Sequence, residues 1–229
     1  MLVTKNNIQF TIGQEYATDG APFWEWVNNN QWENDTFEYL DKYLKPNTGF
    51  LDIGAWMGPL TLYAAAKGHE CWSFEPDPVA FNILKDNISL NNFNINLFNL
   101  AIGDKDGEVG LGLKGNRGDS MSSILLPNPD NIFVKIVKLS DFILNNKISN
   151  ISVVKIDIEG YEIMIGDEIF ESLKILGYPT LLLSLHKTLY NDTEVNKLLD
   201  IFRTHYKMDN GCDIFYPEGD FPQICLIKS

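Results

Sequence analysis

Phe50-Leu51-Asp52-Ile53-Gly54-Ala55-Trp56-Met57-Gly58, followed by Phe74-Glu75-Pro76-Asp77-Pro78, decides how the rest of this chain is to be understood. The apolar run ending at Ile53 reads as a buried strand. Two glycines then let the backbone turn sharply and approach a bound molecule with no Cβ in the way. The N-terminus of the next helix offers free N–H groups, which suit a carboxylate or a phosphate. A second apolar run ends in Glu75, 23 residues after Asp52. A carboxylate there accepts hydrogen bonds from both hydroxyls of a ribose. A tight turn beside a solvent-facing acid would explain the glycines alone. Strand, turn, helix, strand and acid together point to a cradle for a nucleoside cofactor.

Working outward, residues 1–48 read as a short N-terminal extension to a core domain over 49–229. Ile8–Ile12 alternates like a strand, Ala21–Val27 suits a short helix, and Asp35–Leu44 a longer one capped by Asn34 or Asp35. Past Gly58, helices and strands alternate. A helix to about Lys67 is followed by strand Cys71–Glu75, helix Val79–Leu90 and strand Ile95–Ala101. Extended segments Glu108–Leu113 and Val134–Leu139 flank a polar loop, Lys114–Ser123, and a short helix begins at Ser140. Strand Ile151–Ile158, helix Glu162–Leu176, strand Thr180–His186 and helix Thr193–His205 come next. Asp213–Tyr216 and Gln223–Ile227 end the chain as two strands. This alternation predicts an α/β fold with a mostly parallel sheet covered on both faces. The short connection around Pro217-Glu218-Gly219 makes the last two strands an antiparallel hairpin at the sheet edge. A mostly parallel seven-stranded sheet closed by such a hairpin resembles the class I methyltransferase fold, a Rossmann-like architecture. A plain dinucleotide-binding domain would continue with parallel strands.

The hydrophobic fraction, 45%, is enough for the core of one such domain. No apolar run approaches the roughly 18–20 residues of a membrane span. The start, Met1–Asn6, carries no signal-peptide stretch. Cys71, Cys212 and Cys225 have no metal-ligand spacing, and the expected setting is cytoplasmic. The net charge of -13 argues against nucleic acid as a partner, because a phosphate-backbone interface needs clustered Lys and Arg. A small molecule is the easier acceptor.

NAD requires G-x-G-x-x-G so that a pyrophosphate can pass over the loop. Here Trp56 stands where the second glycine would be, and the carboxylate of Asp52 would repel a pyrophosphate. The same carboxylate attracts the ammonium of an amino-acid moiety, so S-adenosylmethionine fits better. Phe50–Gly58, Phe74–Pro78, Asn99-Leu100-Ala101-Ile102-Gly103-Asp104 and Val154-Lys155-Ile156-Asp157-Ile158-Glu159-Gly160-Tyr161-Glu162 together resemble the FkbM family of S-adenosylmethionine-dependent methyltransferases. The resemblance runs in order from about Trp32 to His186, and Lys155–Glu162 is its most family-specific part. It implies O-methylation of a sugar or glycan hydroxyl, or of a hydroxyl on a natural product. It also implies that Asp52, Gly54, Ala55 and Gly58 line the methionine end. Glu75 would hold the ribose with Pro76 and Asp77 beside it, and Ala101 and Ile102 would border the adenine. Trp32-Glu33 and Thr36 resemble a segment that closes over the methionine moiety, and Ser122-Ser123 a serine loop near the cofactor.

Lys155, Asp157 and Glu159 share one face of their strand, and burying them unpaired would be costly. They read either as part of a site or as an internal ion pair with Glu159-Gly160 capping the next helix. His186 ends the neighbouring strand and matches a strand-end histidine of the family, although Ser184 stands where the family often has an acid. His69 and His205 read as packing or surface residues. Asp157, His186 and Lys155 are therefore the candidate catalytic residues, with Asp157 also on the cofactor side. Removing the acceptor's proton typically contributes about 10²–10⁴-fold, a task for His186 or Asp157. A Mg²⁺ ion held by Asp157 and Glu159 is the second arrangement. Metal-free base catalysis ranks ahead of it, since no dedicated ligand cluster stands out. Trp24, Trp26, Trp32 and Tyr190 are candidates to stack on a sugar, and Trp24 and Trp26, two apart, equally suit packing of the N-terminal segment onto the core. Three rival readings stay in view. A methyltransferase of exocyclic base amines would carry Asn/Asp-Pro-Pro-Phe/Tyr where this chain has Asp157-Ile158-Glu159-Gly160. The other two are an NAD-dependent oxidoreductase and a non-catalytic domain.

Overall fold

The apolar runs become the interior of one sheet. The computed structural model describes residues 1–13, 17–18, 21–113, 117–118, 120–128, 132–186, 189–209 and 223–229. The central strands, numbered along the chain, are β1 (Gly49–Ile53), β2 (Cys71–Phe74), β3 (Ile95–Phe98), β4 (Ile151–Ile156), β5 (Thr180–Ser184), β6 (Tyr206–Met208) and β7 (Gln223–Lys228). Their order is β6-β7-β5-β4-β1-β2-β3. From β3 to β5 all neighbours are parallel, whereas β7 runs antiparallel to both β5 and β6. Every residue of β1 and β4 is buried, as strands covered on both faces must be.

Strand alternation divides the core in two. Leu51, Ile53, Val154, Ile156, Leu181 and Leu183 meet the helices α5 (Leu139–Asn145), α6 (Gly166–Ile175) and α7 (Asp192–Phe202). Phe50, Val153 and Leu182 face the other way. There they meet α1 (Phe23–Asn28), α2 (Asn34–Tyr43), α3 (Pro59–Ala66) and α4 (Pro78–Ser89). Val3, Phe10, Trp24, Phe37 and Leu40 belong to this second cluster, so the N-terminal residues share a core with β1 and α3. Leu2–Lys5 and Ile8–Thr11 form a hairpin. Its turn residues, Asn6 and Asn7, both have positive φ, the conformation that suits a two-residue turn between twisted strands.

Several boundaries differ from expectation, each for a local reason. The strand expected over Ile95–Ala101 breaks at Asn99, whose side-chain amide donates to the carbonyls of Glu75 and Pro76 at 2.8 and 2.9 Å. Ala101–Gly103 then leaves the central sheet and pairs with Phe133–Lys138, which also pairs with Gly107–Gly110. The edge hairpin is present, but its first arm is Tyr206–Met208; Asp213–Tyr216, Cys212 and the connection at 217–219 lie outside the described residues. The helix expected over Glu162–Leu176 is a single 3₁₀ turn, Tyr161–Ile163, followed by α6. The helix expected to reach His205 ends at Phe202, and its start carries a reciprocal cap between Asn191 and Glu194. Neither Asn34 nor Asp35 caps α2. Its N-cap is Glu33, in the left-handed region at φ 39°, with no side-chain cap bond. No helix among the described residues is long and apolar enough to cross a membrane.

Candidate functional site

The turn after β1 is shaped by one close approach. Gly54 has φ +86°, and a Cβ there would collide with the carbonyl oxygen of Asp157. Its N–H and that of Ala55 both donate to the carbonyl of Phe74 at 2.9 Å. Trp56 follows at φ +49°, which aims its N–H at Glu75 Oε2, 2.7 Å away. The other carboxylate oxygen of Glu75 accepts from the N–H of Asp77 at 2.8 Å. Glu75 is thereby locked at the carboxyl end of β2, facing a cavity of about 430 Å³ beyond the strand ends. This is where parallel sheets place their ligands.

Most of the expected site residues meet on this cavity's wall. Asp52, Gly54, Ala55, Glu75 and Pro76 line it from β1 and β2, and Ala101, Ile102 and Ser123 from the segments beyond β3. Glu33, Lys155, Asp157, Glu159 and His186 line the rest. Gly58 and Asp77 stand off the wall. Gly58 (φ +92°) starts α3, and a Cβ on it would strike Leu84. Asp77 caps α4, accepting from the N–H of Val79 at 2.8 Å. Its other oxygen accepts from the Ser122 hydroxyl (2.8 Å) and the Gly118 N–H (3.3 Å). The indole N–H of Trp56 donates to Gly118 O at 2.8 Å. The described part of the polar loop is thus tied to the Glu75 end of the cavity, and Asp77 acts as its anchor.

Burial sets the protonation of this end. Asp52 is 1% exposed and accepts from the Thr61 hydroxyl at 2.6 Å; burial pushes its pKa up to about 6. Burial pushes Glu75 up to about 8, against the pull of the Asp77 and Trp56 N–H groups. Both carboxyls hold protons more tightly when folded than when unfolded. Their contribution to stability is therefore complete below the ordinary carboxylate range and is lost as pH rises through about 6 for Asp52 and about 8 for Glu75. The melting temperature of the unliganded protein is expected to fall between about pH 5 and pH 8.5. Glu75→Gln should flatten that decline in thermal-unfolding scans. A variant with the wild-type slope would remove Glu75 from this account.

At the other end of the cavity the charges interlock. The Lys155 ammonium, 1% exposed, donates to Asp157 Oδ2 at 2.8 Å and to the Ser184 hydroxyl oxygen at 2.7 Å. Ser184 in turn donates to Asp157 Oδ2 at 2.9 Å. The hydroxyl of Ser184 closes this triangle without adding a charge. Burial opposes the Lys155 charge, but the carboxylates of Asp157 and Glu33 outweigh it and hold its pKa up. Burial likewise opposes the Asp157 charge, but Lys155 and His186 hold it below the usual carboxylate range. His186 Nε2 lies 3.2 Å from Glu159 and 3.5 Å from Asp157, and Nδ1 lies 3.5 Å from Glu162. Burial pulls the imidazole's pKa down, but these three carboxylates overcome it and hold it at about 10. In this arrangement His186 already carries its proton at neutral pH and has no vacancy for the acceptor's.

Two contributors escape sequence reasoning. Glu162, 1% exposed, sits under His186 and accepts from the Ile158 N–H at 2.8 Å. Gln223 pairs in register with Ser184 and reaches across to Glu33, donating to its Oε2 at 2.5 Å. The Thr36 hydroxyl bonds to both. Among the aromatic candidates, Trp32 reaches the cavity. Trp24 is core, edge-on to Phe10 and Phe23; Trp26 is partly exposed; and the Tyr190 hydroxyl binds the carbonyl of Gly160.

A family model described as the Methyltransferase FkbM domain matches residues 52–170, just over half of the chain. Among solved structures, the chain is similar to fibrillarin in its complex with Nop5p, at 11% identity over 100% of this chain and 97% of that one, with TM-score 0.57. It is similar to a Pyrococcus abyssi tRNA (uracil-54, C5)-methyltransferase in complex with S-adenosyl-L-homocysteine, at 11% identity over 99% of this chain and 43% of that one, TM-score 0.51. A fibrillarin pre-rRNA processing protein of Methanococcus jannaschii matches at 14% identity over 81% of this chain and 68% of that one, TM-score 0.50. At such identities the likeness is one of fold, and that fold is the class I, Rossmann-like methyltransferase sheet.

Proposed function

Because the chain belongs to the FkbM family of methyltransferases, we propose that it moves the methyl group of S-adenosylmethionine onto a hydroxyl of a sugar, glycan or natural product. The observation that carries this reading is a single cavity with two chemically different ends. Glu75 stands at one and the Lys155–Asp157–His186 cluster at the other. The ribose belongs on Glu75, with the adenine between Pro76 and Ala101-Ile102. The methionine moiety lies along Gly54-Ala55, its ammonium toward Asp52 and Glu33. The methyl group then points toward the strand ends of β4 and β5.

The transfer is a displacement at the methyl carbon: the acceptor oxygen forms the new C–O bond as the C–S pair returns to sulfur, and the hydroxyl's proton passes to a carboxylate at the end of β4. The sulfonium makes the methyl electrophilic, so this chain's residues chiefly align the acceptor and exclude water. Lys155 and Ser184 occupy Asp157 Oδ2, which leaves Oδ1, buried and without a hydrogen-bond partner, for the acceptor side. The solved structures named above include proteins of tRNA and pre-rRNA. For this chain the net charge of -13 and the acidic cavity wall support a small acceptor over RNA. With methyl-labelled S-adenosylmethionine, label is expected on members of a panel of sugars and polyhydroxylated natural products, and not on transfer RNA. Label on RNA alone would refute the acceptor class. Failure to bind S-adenosylhomocysteine would refute the cofactor.

A further inference from the structure

We infer that Asp157, Glu162 and His186 form a divalent-cation site in the acceptor half of the cavity. One ligand atom from each lies within 4.8 Å of the other two. Sequence reasoning offered Asp157 and Glu159 for a metal; the structure instead gathers Glu162, with Glu159 on the opposite side of the imidazole. The donor atoms are already sorted. Asp157 Oδ2 is filled by Lys155 and Ser184, while Oδ1 is buried and accepts no hydrogen bond. Glu162 Oε1 is held by the Ile158 N–H and stands 3.5 Å from His186 Nδ1. Glu159 Oε2 lies 3.2 Å from Nε2, nearer than Asp157 Oδ1 at 3.5 Å, and is placed to accept the Nε2–H. The imidazole carries a proton on each nitrogen in the metal-free protein, and a cation bound at Nδ1 would take the place of the proton there, leaving Nε2–H on Glu159. A carboxylate behind a ligating imidazole is the usual support of a protein metal site.

Charge points the same way. With the cation bound at His186, the described cavity wall sets the carboxylates of Glu33, Asp52, Asp157 and Glu159 against Lys155. S-adenosylmethionine, with a sulfonium, an ammonium and a carboxylate, adds one net positive charge. A dication meets much of the remainder. Two carboxylate oxygens and one imidazole nitrogen suit Mn²⁺ or Mg²⁺, which keep further positions for water or substrate oxygens. Resting on the methyl-transfer reading, those positions select an acceptor with two adjacent oxygens, a vicinal diol, and hold one of them toward the methyl group.

The test is Mn²⁺ binding, followed by electron paramagnetic resonance on the whole chain with and without S-adenosylhomocysteine. The expected result is one saturable site with a ¹⁴N coupling from a directly bound imidazole. Glu162→Gln and His186→Gln should each weaken binding at least tenfold while S-adenosylhomocysteine still binds. Glu70→Gln, outside the cavity, should leave it unchanged. Absence of the ¹⁴N coupling in wild-type protein that binds S-adenosylhomocysteine would overturn the site without reference to any variant. Mn²⁺ binding that survives in both variants would overturn it too, as binding to surface carboxylates only. Because S-adenosylhomocysteine binding is read separately, loss of the cation site and loss of the cofactor reading are told apart.

Discussion

Glu75→Ala is expected to remove measurable binding of S-adenosylmethionine and S-adenosylhomocysteine. At pH 9, above the point at which Glu75 gives up its proton, two hydrogen bonds from ribose hydroxyls to its ionised carboxylate are worth roughly 1.5–3 kcal/mol each. Together they correspond to about 10²–10⁴ in affinity. The alanine also strands the N–H groups of Trp56 and Asp77, which Glu75 now satisfies, at roughly 1–3 kcal/mol apiece. Glu75→Gln separates the two effects. It keeps one carbonyl oxygen for the backbone but gives up the charge and one ribose acceptor, so calorimetry should show an intermediate loss in a protein that remains folded. Glutamine binding as tightly as glutamate would exclude Glu75 as the ribose residue.

The second large effect is on stability. Lys155→Met leaves Asp157, Asp52 and Glu33 without the buried cation that offsets them. Breaking a buried pair from one side typically costs about 3–5 kcal/mol. For a chain of this size that is roughly a 6–20 °C drop in melting temperature. Lys155→Met combined with Asp157→Asn should recover part of the loss, because the second change removes a charge the first left stranded. Thermal unfolding of the wild type, Lys155→Met, Asp157→Asn and the double variant measures the coupling. Strictly additive losses would show that the two residues do not act as a pair.

What was legible in the sequence was local. A positive-φ glycine beside a strand end, an acid at the end of the next strand and alternation along Lys155 and Asp157 all follow from backbone geometry within a few residues. So does the convergence of Asp157 and His186, since neighbouring parallel strands end side by side. Alternation fails just beyond β4, where Glu159 and Gly160 take φ +53° and +97°. That reversal turns Glu159 to one side of the imidazole and brings Glu162 to the other, which no strand-period argument anticipates. Gln223 is invisible for a different reason. Its place depends on the antiparallel register of β7 with β5, set by pairing between distant segments. The break at Asn99 is a side-chain amide competing for two carbonyls, a contest an apolar pattern does not record.

Glu33 and Gln223 meet across 190 positions of chain, and β7 slots between two strands that are both made before it. During synthesis the segments around Gly54 and Glu75 emerge long before Gln223, the residue that completes the opposite wall. A growing chain therefore contains every segment of the Glu75 end of the cavity well before it can close the wall at Glu33. The wall around Glu33 is thus completed later in the molecule's birth than the turn at Gly54, and the pairing of β7 with β5 decides when.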